Sequence, residues 1–314
     1  MNHAVRLASC VLAATALALS GGAPHRLTAT PQDPFRGGTD AVRLSVTVND
    51  SSGRHVPGLT RPDFQVFEDG QLQDVQVFSS DPQPVALALL LDASTSMEQR
   101  LPVAQEAAVG FVRRLRAQDV AQITDFNNEI RIRQDFTGSA DLLERAIRAI
   151  RTGGSTSMYN AIYNALGELK RVRVATPQEL RRQAIVVLSD GEDTTSLVTY
   201  EDVLDAAKRS EVAVYTIGLR AKDPAMRRTS GFNEADYVLR TVAQETGGRV
   251  FFVDDAAQLP AVYTQIADEL ANQYLVGYSS KNAKRDGAWR LVAVRVARPG
   301  ATARTRAGYF APGR

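Results

Sequence analysis

Two kinds of hydrophobic pattern divide the chain. In residues 41–48, Val42, Leu44, Val46 and Val48 alternate with polar positions, which suits a strand with one buried face. Residues 64–67 and 75–78 read as two more strands, and Asp69-Gly70 between them is a tight-turn signal. The far end of the chain alternates again over 274–278, 289–296 and 302–308, with turn signals at Asp286-Gly287 and Pro299-Gly300. Neither set of strands is large enough to bury a core alone. The two ends of the chain are therefore expected to fold together.

Between them the period changes. The runs 85–91 and 184–188 are apolar at every position, as in strands covered on both faces of a parallel sheet. Residues 212–219 and 250–253 read as further strands, and 122–126 with 130–136 as a strand pair around Asn127-Asn128. Apolar residues at helical spacing mark 101–115, 140–150, the stretch from about 157 to 169, the segment ending at 210, then 237–245 and 259–272. Strands alternating with helices predict an α/β fold: a Rossmann-like, doubly wound, mostly parallel sheet. The small β-sandwich built from the N- and C-terminal segments flanks it. The expected division is an N-terminal β segment at 41–82, an α/β domain at 83–273 and a C-terminal β segment at 274–314. The arginine-rich stretch 171–182 reads as a solvated connection, and 220–235 as a polar loop on the rim of the sheet's carboxyl edge.

Residues 1–29 look like a secretion signal. Arg6 supplies the positive start, 7–19 the apolar stretch, and Ser20 to Ala23 small residues suited to cleavage. The apolar stretch is too short for an ordinary membrane span. Residues 30–40, rich in Pro, Gly, Asp and Thr, read as a linker. The chain is thus expected to be secreted or periplasmic, with no transmembrane span once mature. The only cysteine, Cys10, lies within the signal. A net charge of +2 over 314 residues gives no electrostatic case for nucleic acid.

Candidate chemistry gathers where buried strands end. Asp92, Ser94 and Ser96 follow one buried run, Asp190 follows another, and Thr156 sits in a Gly-rich turn before a helix. Ligands of open α/β sheets bind at such carboxyl ends. All five are hard oxygen donors with no His or Cys among them. That set suits Mg²⁺, with Mn²⁺ or Ca²⁺ less favoured, and argues against zinc or copper. The plainer reading is a set of Ser/Thr/Asp turns that cap helices.

The motifs DASTS at 92–96, GGST at 153–156 and LSDGED at 188–193 resemble the metal-ion-dependent adhesion site of von Willebrand factor type A domains. The resemblance covers roughly residues 84–272. The flanks, GLTRPDFQVFEDGQLQDVQVF at 58–78, QYLVGYSS at 273–280 and RAGYFAP at 306–312, resemble a bacterial secreted subfamily. The resemblance implies direct metal ligation by Ser94 and Ser96. Asp92 and Asp190 would act largely through water, and Thr156 directly or through water. One open position would await a carboxylate, Asp or Glu, from a partner protein. Such sites often read Gly-Gly-Thr, whereas Ser155 intervenes here, so Ser155 or Ser157 could replace Thr156. Glu192 and Asp193 read as solvated acids.

This makes the chain an extracytoplasmic, metal-dependent protein-binding module rather than an enzyme. The alternatives are a metal-free structural scaffold of the envelope and, less favoured, a hydrolase. The only histidines, His3, His25 and His55, all fall outside the α/β domain, and no G-x-S-x-G elbow surrounds Ser94 or Ser96. No phosphate-binding glycine motif is present.

Overall fold

The computed structural model describes residues 41–175, 181–190, 193–220 and 234–313. The expected signal and linker, and nearly all of the expected rim loop, lie outside the described residues. The elements run β1 (Ala41–Asn49), β2 (Phe64–Glu68), β3 (Gln71–Gln73), β4 (Val75–Ser79), β5 (Val85–Asp92), α1 (Leu101–Val112), β6 (Val120–Phe126), β7 (Ile130–Thr137) and α2 (Ala140–Arg148). Then come α3 (Met158–Ala175), β8 (Arg182–Ser189), α4 (Tyr200–Arg209), β9 (Ala213–Leu219), α5 (Glu234–Thr246), β10 (Val250–Val253) and α6 (Leu259–Ala271). The chain finishes with β11 (Tyr274–Ser279), β12 (Trp289–Val296), β13 (Thr302–Arg304) and β14 (Gly308–Phe310).

The α/β fold is as the pattern predicts. A six-stranded sheet has the order β10-β9-β8-β5-β6-β7, parallel except for the edge strand β7. Central β5 is buried at every residue. Its side chains alternate, so Val85, Leu87, Leu89 and Leu91 join one core with α1, α2 and α6. Ala86, Ala88 and Leu90 face the other way, toward α3, α4 and α5. Each leucine buried this fully contributes about 1.5–3 kcal/mol. The chain leaves β5 toward β6 with α1 on one face. It returns to β8 and proceeds through β9 to β10 with α4 and α5 on the other face. Right-handed crossovers require that switch when the direction of travel reverses. The reversal leaves a crevice between the carboxyl ends of β5 and β8.

Two four-stranded antiparallel sheets flank this core, β13-β1-β11-β4 and β14-β12-β2-β3. Each draws strands from both ends of the chain. Val42, Leu44, Val46 and Val48 of β1 pack with Phe64, Val66, Tyr274, Val276, Tyr278 and Val292. Asp69 and Gly70, both at positive φ (47° and 81°), close the two-residue hairpin between β2 and β3.

Three expectations change in detail. The hairpin after Gly70 pairs β2 with short β3, while β4 crosses to the other sheet beside β11. The tail 302–308 is likewise two short strands on different sheets. In both places one stretch must serve both layers of a sandwich, which breaks it. Residues 171–175 of the expected connection extend α3 instead. No helix among the described residues is long and apolar enough to cross a membrane.

Glu68 ties the sandwich together. Its buried carboxylate accepts hydrogen bonds from the hydroxyls of Tyr278 and Tyr309, each at 2.9 Å, and from Ser280 at 2.6 Å. Burial first, then this carboxylate, raises both phenols; Tyr309 reaches about 12. For Tyr309 the stabilising effect is complete below the ordinary phenol value near 10 and is lost as pH rises through about 12. Replacing Glu68 with Ala strands the buried phenol of Tyr278 and the half-buried one of Tyr309, and urea unfolding at neutral pH should show a loss of about 1–3 kcal/mol. An unchanged midpoint would mean that Glu68 does not hold the layers.

Candidate metal centre

β5 is extended through Asp92, and the next residues turn. Asp92 is fully buried, and its Oδ1 accepts the backbone N–H of Ser94 at 2.8 Å. Its Oδ2 accepts the Ser189 hydroxyl at 2.6 Å. One carboxylate therefore joins the carboxyl ends of β5 and β8. Burial pushes the Asp92 carboxyl above the ordinary range. The hydrogen bonds from Ser189 and Ser94 pull it back, and the neighbouring Asp190 charge adds to the rise.

Residues Thr95–Met97 form a 3-10 turn. That turn, not continued strand alternation, brings Ser96 beside Ser94, with the two hydroxyl oxygens 3.0 Å apart. In an extended chain, side chains two residues apart sit about 6.5 Å from each other. Ser96 Oγ also donates to Asp190 Oδ1 at 2.7 Å. Four of the five expected residues, Asp92, Ser94, Ser96 and Asp190, thus form one hydrogen-bonded group in the β5–β8 crevice.

Thr156 comes to this group through its loop. Gly153 N–H donates to Ala93 O at 2.8 Å, and both the backbone N–H and the hydroxyl of Thr95 donate to Gly154 O at 3.0 Å. The Thr156 backbone is held by Thr194 and Thr195, while its hydroxyl has no hydrogen-bond partner among the described residues. Ser157 is committed elsewhere, donating to Asn127 O, and Ser155 is held through its N–H by Asn128 at 2.7 Å. Of the three candidates in this loop only Ser157 has its hydroxyl engaged, which leaves Thr156 and Ser155 with hydroxyls that have no partner among the described residues.

The donor set fits a small hard cation. Adjacent oxygens around octahedral Mg²⁺ lie about 3 Å apart, given bonds of about 2.0–2.1 Å. The Ser94–Ser96 spacing matches that edge. Among the described residues, no three His, Cys, Asp or Glu side chains gather to hold a metal, so this site has only two acids, supplemented by hydroxyls.

Several neighbours were not legible beforehand. Arg100 forms an ion pair with Asp190 across the site. Ser189, inside the motif but apolar in context, orients Asp92. Asn127 Nδ2 donates to Gly153 O at 2.7 Å, so the strand-pair turn supports the Gly-rich loop. Asp193 is no solvated acid: it accepts the Tyr159 N–H at 2.7 Å and caps the start of α3. Glu192 lies outside the described residues.

The family profile described as von Willebrand factor type A domain matches residues 86–265. No curated protein matches the chain. Among solved structures, an aerotolerance-related membrane protein from Bacteroides fragilis is 21% identical, with TM-score 0.46, covering 59% of this chain and 98% of that one. A von Willebrand factor type A protein from Catenulispora acidiphila is 12% identical, with TM-score 0.49, covering 88% and 76%. Proximal thread matrix protein 1 from the mussel byssus, solved with a zinc-occupied MIDAS motif, is 16% identical, with TM-score 0.49, covering 65% and 49%.

Gly154 tests whether the loop geometry matters. It has φ of +79°, and a Cβ there would lie 1.9 Å from Asn128 Oδ1. Gly154→Ala should cost about 1–3 kcal/mol by thermal unfolding. A variant as stable as the parent would show that the Gly-rich loop is not held in this conformation.

Proposed function

The chain belongs to the von Willebrand factor type A domain family, and from that premise we propose that it is an extracytoplasmic, Mg²⁺-dependent protein-binding module. Members of the family are generally non-catalytic interaction domains. In this reading Ser94, Ser96 and Thr156 hold the ion, with Asp92 and Asp190 acting mainly through water. A partner Asp or Glu would complete the coordination. The observation that carries the proposal is the cluster of two serine hydroxyls 3.0 Å apart, bonded to Asp190 and adjoining buried Asp92. With few carboxylates in direct contact, the ion keeps an unsatisfied charge and favours an anionic ligand. Export follows from the signal-like residues 1–29, and the flanks support assignment to the bacterial secreted subfamily.

A second reading is a metal-free scaffold. The Arg100–Asp190 ion pair favours it, because a guanidinium already supplies positive charge to the site. The two readings differ in what Arg100 does. If the ion binds, Arg100 opposes it, and removing that charge helps.

Isothermal titration with Mn²⁺ or Mg²⁺ separates them. The parent should bind one ion, and Ser94→Ala with Ser96→Ala should weaken binding about tenfold or more, having lost two ligands. Arg100→Gln should tighten it about three- to tenfold, the worth of one nearby charge partly screened by water. Heat signals identical in the parent and the double serine variant would leave the scaffold reading standing. Capture of envelope proteins that persists in chelator would remove the metal from the interaction.

A further inference from the structure

At the opposite end of β8 from Asp190 lies a cavity of about 150 Å³, where the bottom of the parallel sheet meets the sandwich. Its lining includes Arg43, Arg181, Arg182 and Arg306, with Glu211 as the one acid among the described residues. We propose that this seam binds a small oxyanion, a phosphate or carboxylate group, held by Arg182, Arg306 and Thr305.

Unused donors carry the inference. Arg182 Nε, Arg306 Nε and Thr305 Oγ1 are buried and have no hydrogen-bond partner. Buried polar groups are almost always satisfied, and a cluster of three unsatisfied ones around one cavity calls for an acceptor. Arg182 gives its other nitrogens to neutral oxygens only, Gln273 O at 3.0 Å, Gln273 Oε1 at 3.2 Å and Leu270 O at 3.5 Å. Burial lowers its pKa to about 10, and the charge of Arg116 acts the same way. Arg306 Nη2 donates to Arg43 O at 3.1 Å, and Nη1 stands a long 3.8 Å from Glu211. Both guanidiniums are therefore desolvated without a close carboxylate. A planar guanidinium fork matches the oxygens of carboxylate and phosphate alike.

The approach to the cavity has the same sign. A wider cleft of about 740 Å³ shares Arg306 and Glu211 with it, and is lined further by Lys208, Arg209, Lys284 and Arg285. Lys208 is paired with Glu245 and Arg209 with Asp205, so these two are largely compensated. The inner cavity keeps the Nε atoms of Arg182 and Arg306 as buried donors without an acceptor. Its volume exceeds that of several waters at about 30 Å³ each, so an oxyanion fits.

The test uses the full chain in chelator, which silences the metal centre. Inorganic phosphate and acetate are compared with chloride at equal ionic strength. At ten times its dissociation constant, the bound anion should raise the parent's Tm by about 3–6 °C. A rise with phosphate alone or acetate alone names the preferred oxyanion and supports the site. Arg306→Gln should weaken binding about tenfold or more by calorimetry. Because Arg182 also holds the end of α6, Thr305→Val is the milder second variant, expected to weaken binding several-fold without unfolding. Asp92→Ala should respond to the anion like the parent, which separates this site from the metal reading. Equal Tm in all three salts, or an undiminished response in both seam variants, would overturn the proposal.

Discussion

A buried carboxylate at the end of a buried strand is the constraint around which the α/β domain is arranged. Asp92 is removed from water, and a carboxylate there costs several kcal/mol unless it is well hydrogen-bonded. The fold meets that cost with the Ser94 N–H from its own turn and the Ser189 hydroxyl from the neighbouring strand. Both donors require β5 and β8 to end level, which their parallel register through Leu91↔Leu188 ensures. The same turn that supplies the Ser94 N–H folds Ser96 back beside Ser94. The oxygen cluster is thus a consequence of satisfying Asp92, and a cation placed there acts on a group the protein already holds in place.

A second buried acid joins the two structural layers. Glu269, near the end of α6, accepts from Asn49 of β1 and Arg249 before β10, each at 3.1 Å, and from Arg304 of β13. Four segments from three regions of the chain meet at one side chain. Gln273, four residues on, bonds the Thr47 hydroxyl of β1 at 3.2 Å. The sandwich is therefore fixed to the base of the parallel sheet through polar contacts, at the opposite end from the Asp92–Ser94–Ser96–Asp190 group.

The parts of this architecture visible in the sequence are those written as periodicity. The apolar runs ending at Leu91 and Leu188 marked the central strands, and the Asp69-Gly70 pair marked its hairpin. Spaced motifs marked Asp92, Ser94, Ser96 and Asp190, which meet in space, and Thr156, whose loop is hydrogen-bonded to theirs. What stayed hidden depends on tertiary placement. Arg100 is one of many arginines and becomes special only because the turn at Thr95–Met97 aims it at Asp190. Asn127 looked like a turn residue and is also a brace for Gly153. Asp193 looked solvated because nothing local shows that α3 begins beside it. The breaks in 71–79 and 302–308 follow from layer crossing, which alternation alone does not encode.

The polarity of β8 follows from the fold as a whole. In a parallel sheet with crossover helices, helix N-termini gather at the carboxyl edge and helix C-termini at the opposite edge. Asp193 at the start of α3 and Arg182 against Leu270 O at the end of α6 both complement those partial charges. A cation at the carboxyl edge is opposed by the helix N-termini and depends on Asp92 and Asp190 to be held there. Under the proposed function, a partner's carboxylate arriving at the same edge would meet both the ion and favourable helix ends. At the seam the sense is reversed. Carbonyls at helix ends repel an anion, and one arginine would be consumed in compensating them. Arg182 and Arg306 each keep a buried Nε without a hydrogen-bond partner after the α6 carbonyl is met, and those unused donors are what set the proposed anion site apart from simple capping.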